Sequence, residues 1–252
     1  MILPPVRQAA ASLGSSGLAI LALGLAAGPI RAQAPAQNQP PPRMEEISPG
    51  VYRLGKMRLD KKARTLSFPA SVNMDEGAVE YLLVSPHGCA HESLLATDVR
   101  PSDIHFAMLL LGAEGAPTVN TPGNPPQTAS QMDLESLKNA PKPGGDAIQI
   151  SVRWKEEGSA KTTPVEDWLF HTETEKAMPR GPWLYSGSYL SGQTFAAEAE
   201  GNLAAVVLNS AALINNPRNG NTDDRVWLVH KEAVPKKGTP VELTLTLSGP
   251  LR

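Results

Sequence analysis

Met57-Arg-Leu-Asp60 and Arg64-Thr-Leu-Ser-Phe68 alternate apolar and polar residues on either side of the turn Asp60-Lys-Lys-Ala63. That period of two is the signal of a β-hairpin, with room for its second strand to run on to Val72. After the turn Met74-Asp-Glu-Gly77 comes Val79-Glu-Tyr-Leu-Leu-Val84. This run is almost continuously apolar, as a strand buried on both faces would be. Further on, Ala147–Trp154 alternates again, and Glu156-Glu-Gly158 turns it toward Lys161-Thr-Thr163. Trp183–Leu190, Thr194–Glu200, Leu203–Leu208, Arg225–Val229 and Val241–Leu247 also read as strands.

Helices are few. Ser102–Gly112 is the clearest, with Ser102 or Asp103 as its expected cap and Gly112 or Gly115 as its stop. Its apolar content calls for burial against a sheet. Val165–Phe170 reads as a short helix. No strand–helix alternation appears, so a doubly wound parallel sheet is not expected. The class is α+β: one β-rich domain over residues 51–250, with mainly antiparallel sheets and one main buried helix at about 102–112. Residues 115–145 interrupt it with a long Pro/Gly-rich loop, in which only Gln131–Lys138 looks helical.

Composition narrows the function. The chain has 252 residues, 23 Lys and Arg against 25 Asp and Glu, and one cysteine. The charge balance excludes a basic nucleic-acid binder. A single cysteine excludes an internal disulfide and any CxxC metal site. Residues 1–36 read as a signal peptide: Arg7 in the n-region, an apolar run at Leu18–Ala27, and small-x-small cleavage patterns at Ala32-Gln-Ala34 and Ala34-Pro-Ala36, the second favoured. Residues 37–50 read as a Pro/Gln-rich flexible linker. The expectation is an exported protein, periplasmic or extracellular. Its mature part carries no transmembrane helix, because no other segment has the length of apolar sequence that one needs.

The densest polar cluster is His87-Gly-Cys-Ala-His-Glu92, with His105 on the helix. Imidazoles, a carboxylate and a thiolate suit Zn or Cu. The metal candidates are therefore His91, Glu92 and His105, with His87 and Cys89 behind them. Helix and strand directions place His91 and His105 near one strand end, where they are expected to converge. The competing reading is a loop with two exposed histidines plus a buried histidine on the helix. Two further groups are weighed. Asn219–Asp224 alternates oxygen side chains as calcium loops do, but its glycine is out of place and His230 stands where such a loop needs glutamate. Trp183, Tyr185 and Tyr189 would share a strand face able to stack a sugar or a peptide. No GxSxG, GxGxxG, Walker or HExxH pattern supports an enzyme.

Leu59-Asp-Lys-Lys-Ala-Arg64, Val79-Glu80, His91-Glu-Ser-Leu-Leu95, Ile104-His105, Leu109-Leu-Leu-Gly112, Glu166-Asp-Trp168, Trp183–Ser188 and Gly201–Asn209 occur in an order and spacing that resembles the YdjY-domain family of exported bacterial proteins. The resemblance spans nearly all of the mature domain. It implies no settled activity, so it supplies no catalytic role. His91, Glu92 and His105 are matching positions, whereas Cys89 is not. The expected function is a non-enzymatic binding module of the cell envelope, with a protein, peptide or glycan partner. The alternative is a metal-binding domain, possibly enzymatic, built on His91, Glu92 and His105.

Overall fold

The computed structural model describes residues 42–116 and 144–248. The expected signal peptide, the start of the linker and the helix at 131–138 lie outside the described residues.

The alternating segments form the hairpin β3 (Met57–Asp60) and β4 (Thr65–Val72). Before it, β1 (Met44–Ser48) folds back through Gly50 onto β2 (Val51–Leu54), which pairs with β3. Thus part of the stretch expected as linker is a strand. Gly50 takes a φ of 77°, which a glycine adopts without the Cβ clash other residues meet, and that turn lets Glu45 face Arg53.

Strands β5 (Tyr81–Val84), β6 (Ser93–Ala96), β7 (Asp146–Glu156) and β8 (Ser159–Pro164) follow. A 3-10 turn at Val165–Trp168 leads into β9 (Leu169–His171) and β10 (Lys176–Ala177). The remaining strands are β11 (Trp183–Tyr185), β12 (Leu190–Ser191), β13 (Thr194–Phe195), β14 (Asn202–Ala205), β15 (Ile214–Asn215), β16 (Trp227–Val229) and β17 (Pro240–Leu247). The order β4-β17-β7-β11-β15-β14-β5-β6 returns to β4 through Ser71↔Ala96 and Val72↔Leu95. Eight strands therefore close into a barrel, antiparallel except for β5–β6 and β14–β15. Closure removes two sheet edges that would otherwise expose unpaired backbone groups. Two small sheets, β10-β9-β16 and β12-β13, lie off this path.

Strand β17 is central. It pairs over seven positions with β4 and over seven with β7. Its alternation puts Leu243 between Phe68 and Val152, and Leu245 between Leu66 and Ile150, all buried. Each such side chain contributes about 1.5–3 kcal/mol by leaving water. β5 is buried at every position, as its apolar run requires, because Leu82 and Leu83 face the main core while Tyr81 and Val84 face a second cluster with Ala205 and Ala212.

Helix α1 (Pro101–Leu110) starts one residue earlier than expected and is not capped by Ser102 or Asp103. Pro101 fits the first helical position because its ring presets φ and its missing N–H would be unpaired there anyway. Asp103 instead grips Arg100 through two bonds of 2.8 and 2.6 Å. Gly112, at φ 85°, ends the helix. Pro101, Ile104, Ala107 and Met108 are buried, but Phe106 and Leu109 are exposed, so the burial of α1 is one-sided.

Three expected strands end early, the one at Leu203–Leu208 after Ala205. The chain leaves the sheet after Tyr185, because Gly187 and Ser188 take φ of 79° and 61°. Only Thr194–Phe195 of the next segment is extended; Ala-Ala-Glu-Ala-Glu forms helix α2 (Ala196–Glu200), stopped by Gly201 in the left-handed region. Alanine and glutamate are strong helix formers, and that outweighs the apolar alternation.

Candidate functional site

The His87 loop proves to be a latch. His87 Nε2 donates to the Glu198 carbonyl of α2 at 2.8 Å, and Ser85 N donates to the Gly201 carbonyl at 2.7 Å. The loop thus satisfies two carbonyls at the end of α2, where helices leave them open. Gly88 and Gly201 meet back to back: a Cβ on Gly88 would lie 2.5 Å from the Gly201 carbonyl oxygen, and one on Gly201 would lie 2.7 Å from Gly88 N. Glycine at 88 is a packing requirement.

His91 sits on the 3-10 turn Ala90–Glu92, which carries its side chain outward to 77% exposure, 3.6 Å from the Glu92 carboxylate. Cys89 is half-buried. Burial, together with Glu92, Glu80 and Glu200 nearby, pushes its thiol up and outweighs the Asn202 hydrogen bond. A thiol held protonated is neither nucleophile nor ready ligand. Glu80 is likewise pushed up, first by burial and then by Glu92 and Asp224.

His105 has other partners. Its Nδ1 lies 2.6 Å from the hydroxyl of Tyr185, a wholly buried residue of β11, and its ring packs 5.0 Å from that of Phe195. Burial lowers the pKa of the imidazole and raises that of the phenol. A buried hydroxyl needs an acceptor, and Nδ1 is its hydrogen-bond partner among the described residues. We therefore assign the O–H as donor, which leaves the neutral ring's own proton on Nε2. Both ends of the 115–145 excursion are anchored beside this pair, with Ala116 N donating to Ser186 O and Gly145 packed on the Tyr185 carbonyl.

The structure therefore brings His91 and Glu92 together but gives His105 different neighbours, so the expected convergence on one metal does not form. The physical reason is direction: the turn aims His91 at solvent, and α1 aims His105 at β11. Among the described residues, no three His, Cys, Asp or Glu side chains are grouped to hold a metal ion. The aromatic face dissolves too, since Trp183 and Tyr185 are core residues at 0% exposure. In the Asn219–Asp224 loop, Arg225 takes both carboxylate oxygens of Asp223.

Two features escaped the sequence reading. One is a buried ion pair, Arg218–Glu166 at 2.8 Å, in which Arg218 also donates to the carbonyls of Pro179 and Gly181. The other is a set of exposed apolar residues on α1 and on the hairpin whose Phe195 packs against the His105 ring. Phe106 and Leu109 on α1 are 37% and 45% exposed, and Leu190, the cross-strand partner of Phe195, is 64% exposed. The isolated signal, leucine next to a tight turn, was present at Leu190-Ser-Gly-Gln193 but gave no hint of its neighbours.

A closed, mainly antiparallel barrel with one half-buried helix defines the class, a β-rich domain. The family model described as YdjY domain matches residues 57–246. The chain belongs to the YdjY-domain family. No curated protein and no solved structure matches it.

Proposed function

We propose that this YdjY domain is an exported, non-enzymatic binding module of the bacterial cell envelope. The observation that carries the reading is the exposure of Phe106 and Leu109 on α1, next to the half-buried His105, and of Leu190, the cross-strand partner of the Phe195 on which the His105 ring packs. The leader pattern of residues 1–36 supports export, and N-terminal sequencing of the secreted chain is expected to begin close to Pro35–Gln37. A photo-crosslinker at Leu190 tests binding: it is expected to trap one or a few envelope components. No crosslink at Leu190, with the chain found in the envelope, would defeat the reading.

A metal-dependent reading retains one observation, the His91–Glu92 pair with Glu80 close enough to feel it. Zinc or copper near one equivalent in the purified protein, lost in His91→Ala, would favour it over the first.

A further inference from the structure

Strand β1 and the end of β2 enclose a cleft of about 470 Å³, lined by Arg43, Met44, Glu45, Arg53 and Gly55. The strand register explains which residues meet there. Met44 pairs with Leu54 and Glu45 with Arg53, so Arg43 falls beside Gly55. Alternation puts Arg43, Glu45 and Arg53 on one face of the sheet. Gly55 brings no side chain to that face, so the space opposite Arg43 is open. On its other side Arg53 pairs directly with Arg58 of β3. Like charges directly opposite each other on neighbouring strands destabilise the pairing. Arg43 is exposed, and its side chain has no ion pair or hydrogen bond among the described residues. Glu45 stands 3.7 Å from Arg53 and Asp60 stands 3.8 Å from Arg58, both beyond hydrogen-bond reach. The Arg53 and Arg58 side chains are 59% and 54% exposed, where such loose pairs contribute little. Three guanidiniums against two carboxylates leave this corner positive, with guanidinium N–H donors still unused.

We infer that this cleft binds a phosphate group. The inference does not rest on the exposed residues of α1. A phosphate monoester carries a charge of about −1.5 to −2 and three strong acceptor oxygens. One such group accepts from Arg43 and Arg53 together and offsets the repulsion between Arg53 and Arg58. The planar guanidinium fork matches two phosphate oxygens with two parallel bonds. A carboxylate brings one charge and two oxygens, which is too little for guanidiniums on both sides of the cleft. Glu45 competes with the anion for Arg53, so it sets the affinity. The phosphate belongs either to a soluble ester or to a lipid headgroup, and the chemistry at the cleft is the same for both.

The test titrates the folded full chain with inorganic phosphate, and separately with acetate, by calorimetry at low salt. Phosphate is expected to saturate and acetate to bind at least about tenfold more weakly. Arg43→Gln and Arg53→Gln, both at exposed positions, are expected to keep the wild-type melting curve and to lose about tenfold in phosphate affinity. Glu45→Gln is expected to tighten phosphate binding by about threefold, the reverse of what a cation site would show. Phosphatidylcholine vesicles with and without phosphatidic acid separate the two sources. Sedimentation that needs phosphatidic acid and is lost in Arg43→Gln assigns the phosphate to a lipid headgroup, whereas phosphate binding without sedimentation assigns it to a soluble ester. The inference is overturned by any of four results: neither saturable phosphate binding nor sedimentation, an affinity unchanged in both arginine variants, acetate binding as tightly as phosphate, or weaker phosphate binding in Glu45→Gln.

Discussion

His105 sits neutral against a buried phenol, and that contact is sensitive to pH. Burial lowers the folded pKa of the ring below its ordinary 6.5, so between the two values the unfolded chain binds more protons than the folded one. The contribution is complete above about pH 6.5 and is lost as pH falls through that value toward the lower, folded one. Thermal melts at pH 7.5 and 5.5 are expected to show a larger drop in Tm for the wild type than for His105→Gln; parallel slopes would contradict the assignment. Glu80 works in the opposite sense. Its folded pKa is raised by burial and by Glu92 and Asp224, so its charge opposes folding at neutral pH and ceases to do so in acid. Glu80→Gln is expected to raise Tm at pH 7 and to match the wild type near pH 3. The sequence made the half-buried setting of His105 legible, because a helix this apolar must pack one side. It could not name Tyr185, which lies eighty residues further along and meets His105 only through the barrel.

Elements were legible where one rule governed them. Strands β3, β4 and β7 declared themselves by alternation, and β5 by its continuous apolar run. The reading failed where two rules competed over a few residues. Ala196–Glu200 alternates as a strand would, yet its residues prefer a helix, and Gly201 supplies the stop. The His87-Gly-Cys loop looked like ligand chemistry because spacing alone does not reveal that its imidazole caps a helix made a hundred residues later. Gly201 is the point where these elements depend on one another. It takes φ 72° and touches Gly88 and Ser85, so Gly201→Ala is expected to cost about 1–3 kcal/mol, measured by urea unfolding. His87→Ala removes one bond from the same junction and is expected to cost about 0.5–1.5 kcal/mol.

At the scale of the molecule, the sequence announced a β-rich antiparallel domain but not its closure. Closure depends on β4 meeting β6 at Ser71↔Ala96 and Val72↔Leu95, two register pairs with no local signature. The clearest whole-molecule prediction concerns β17. Ending the chain at Thr239 strips the partner from both β4 and β7 and removes Leu243 and Leu245 from the core. Circular dichroism of that truncation is expected to show no cooperative melt, while ending the chain at Ser248 preserves one.

Strand β17 joins β4 to β7 through the middle of the sheet. Until it docks, the strands on either side have no seam to close upon. Thr246 meets Thr65 across most of the described sequence, so closing the barrel joins distant parts of the chain, and such long-range pairing makes for slow folding.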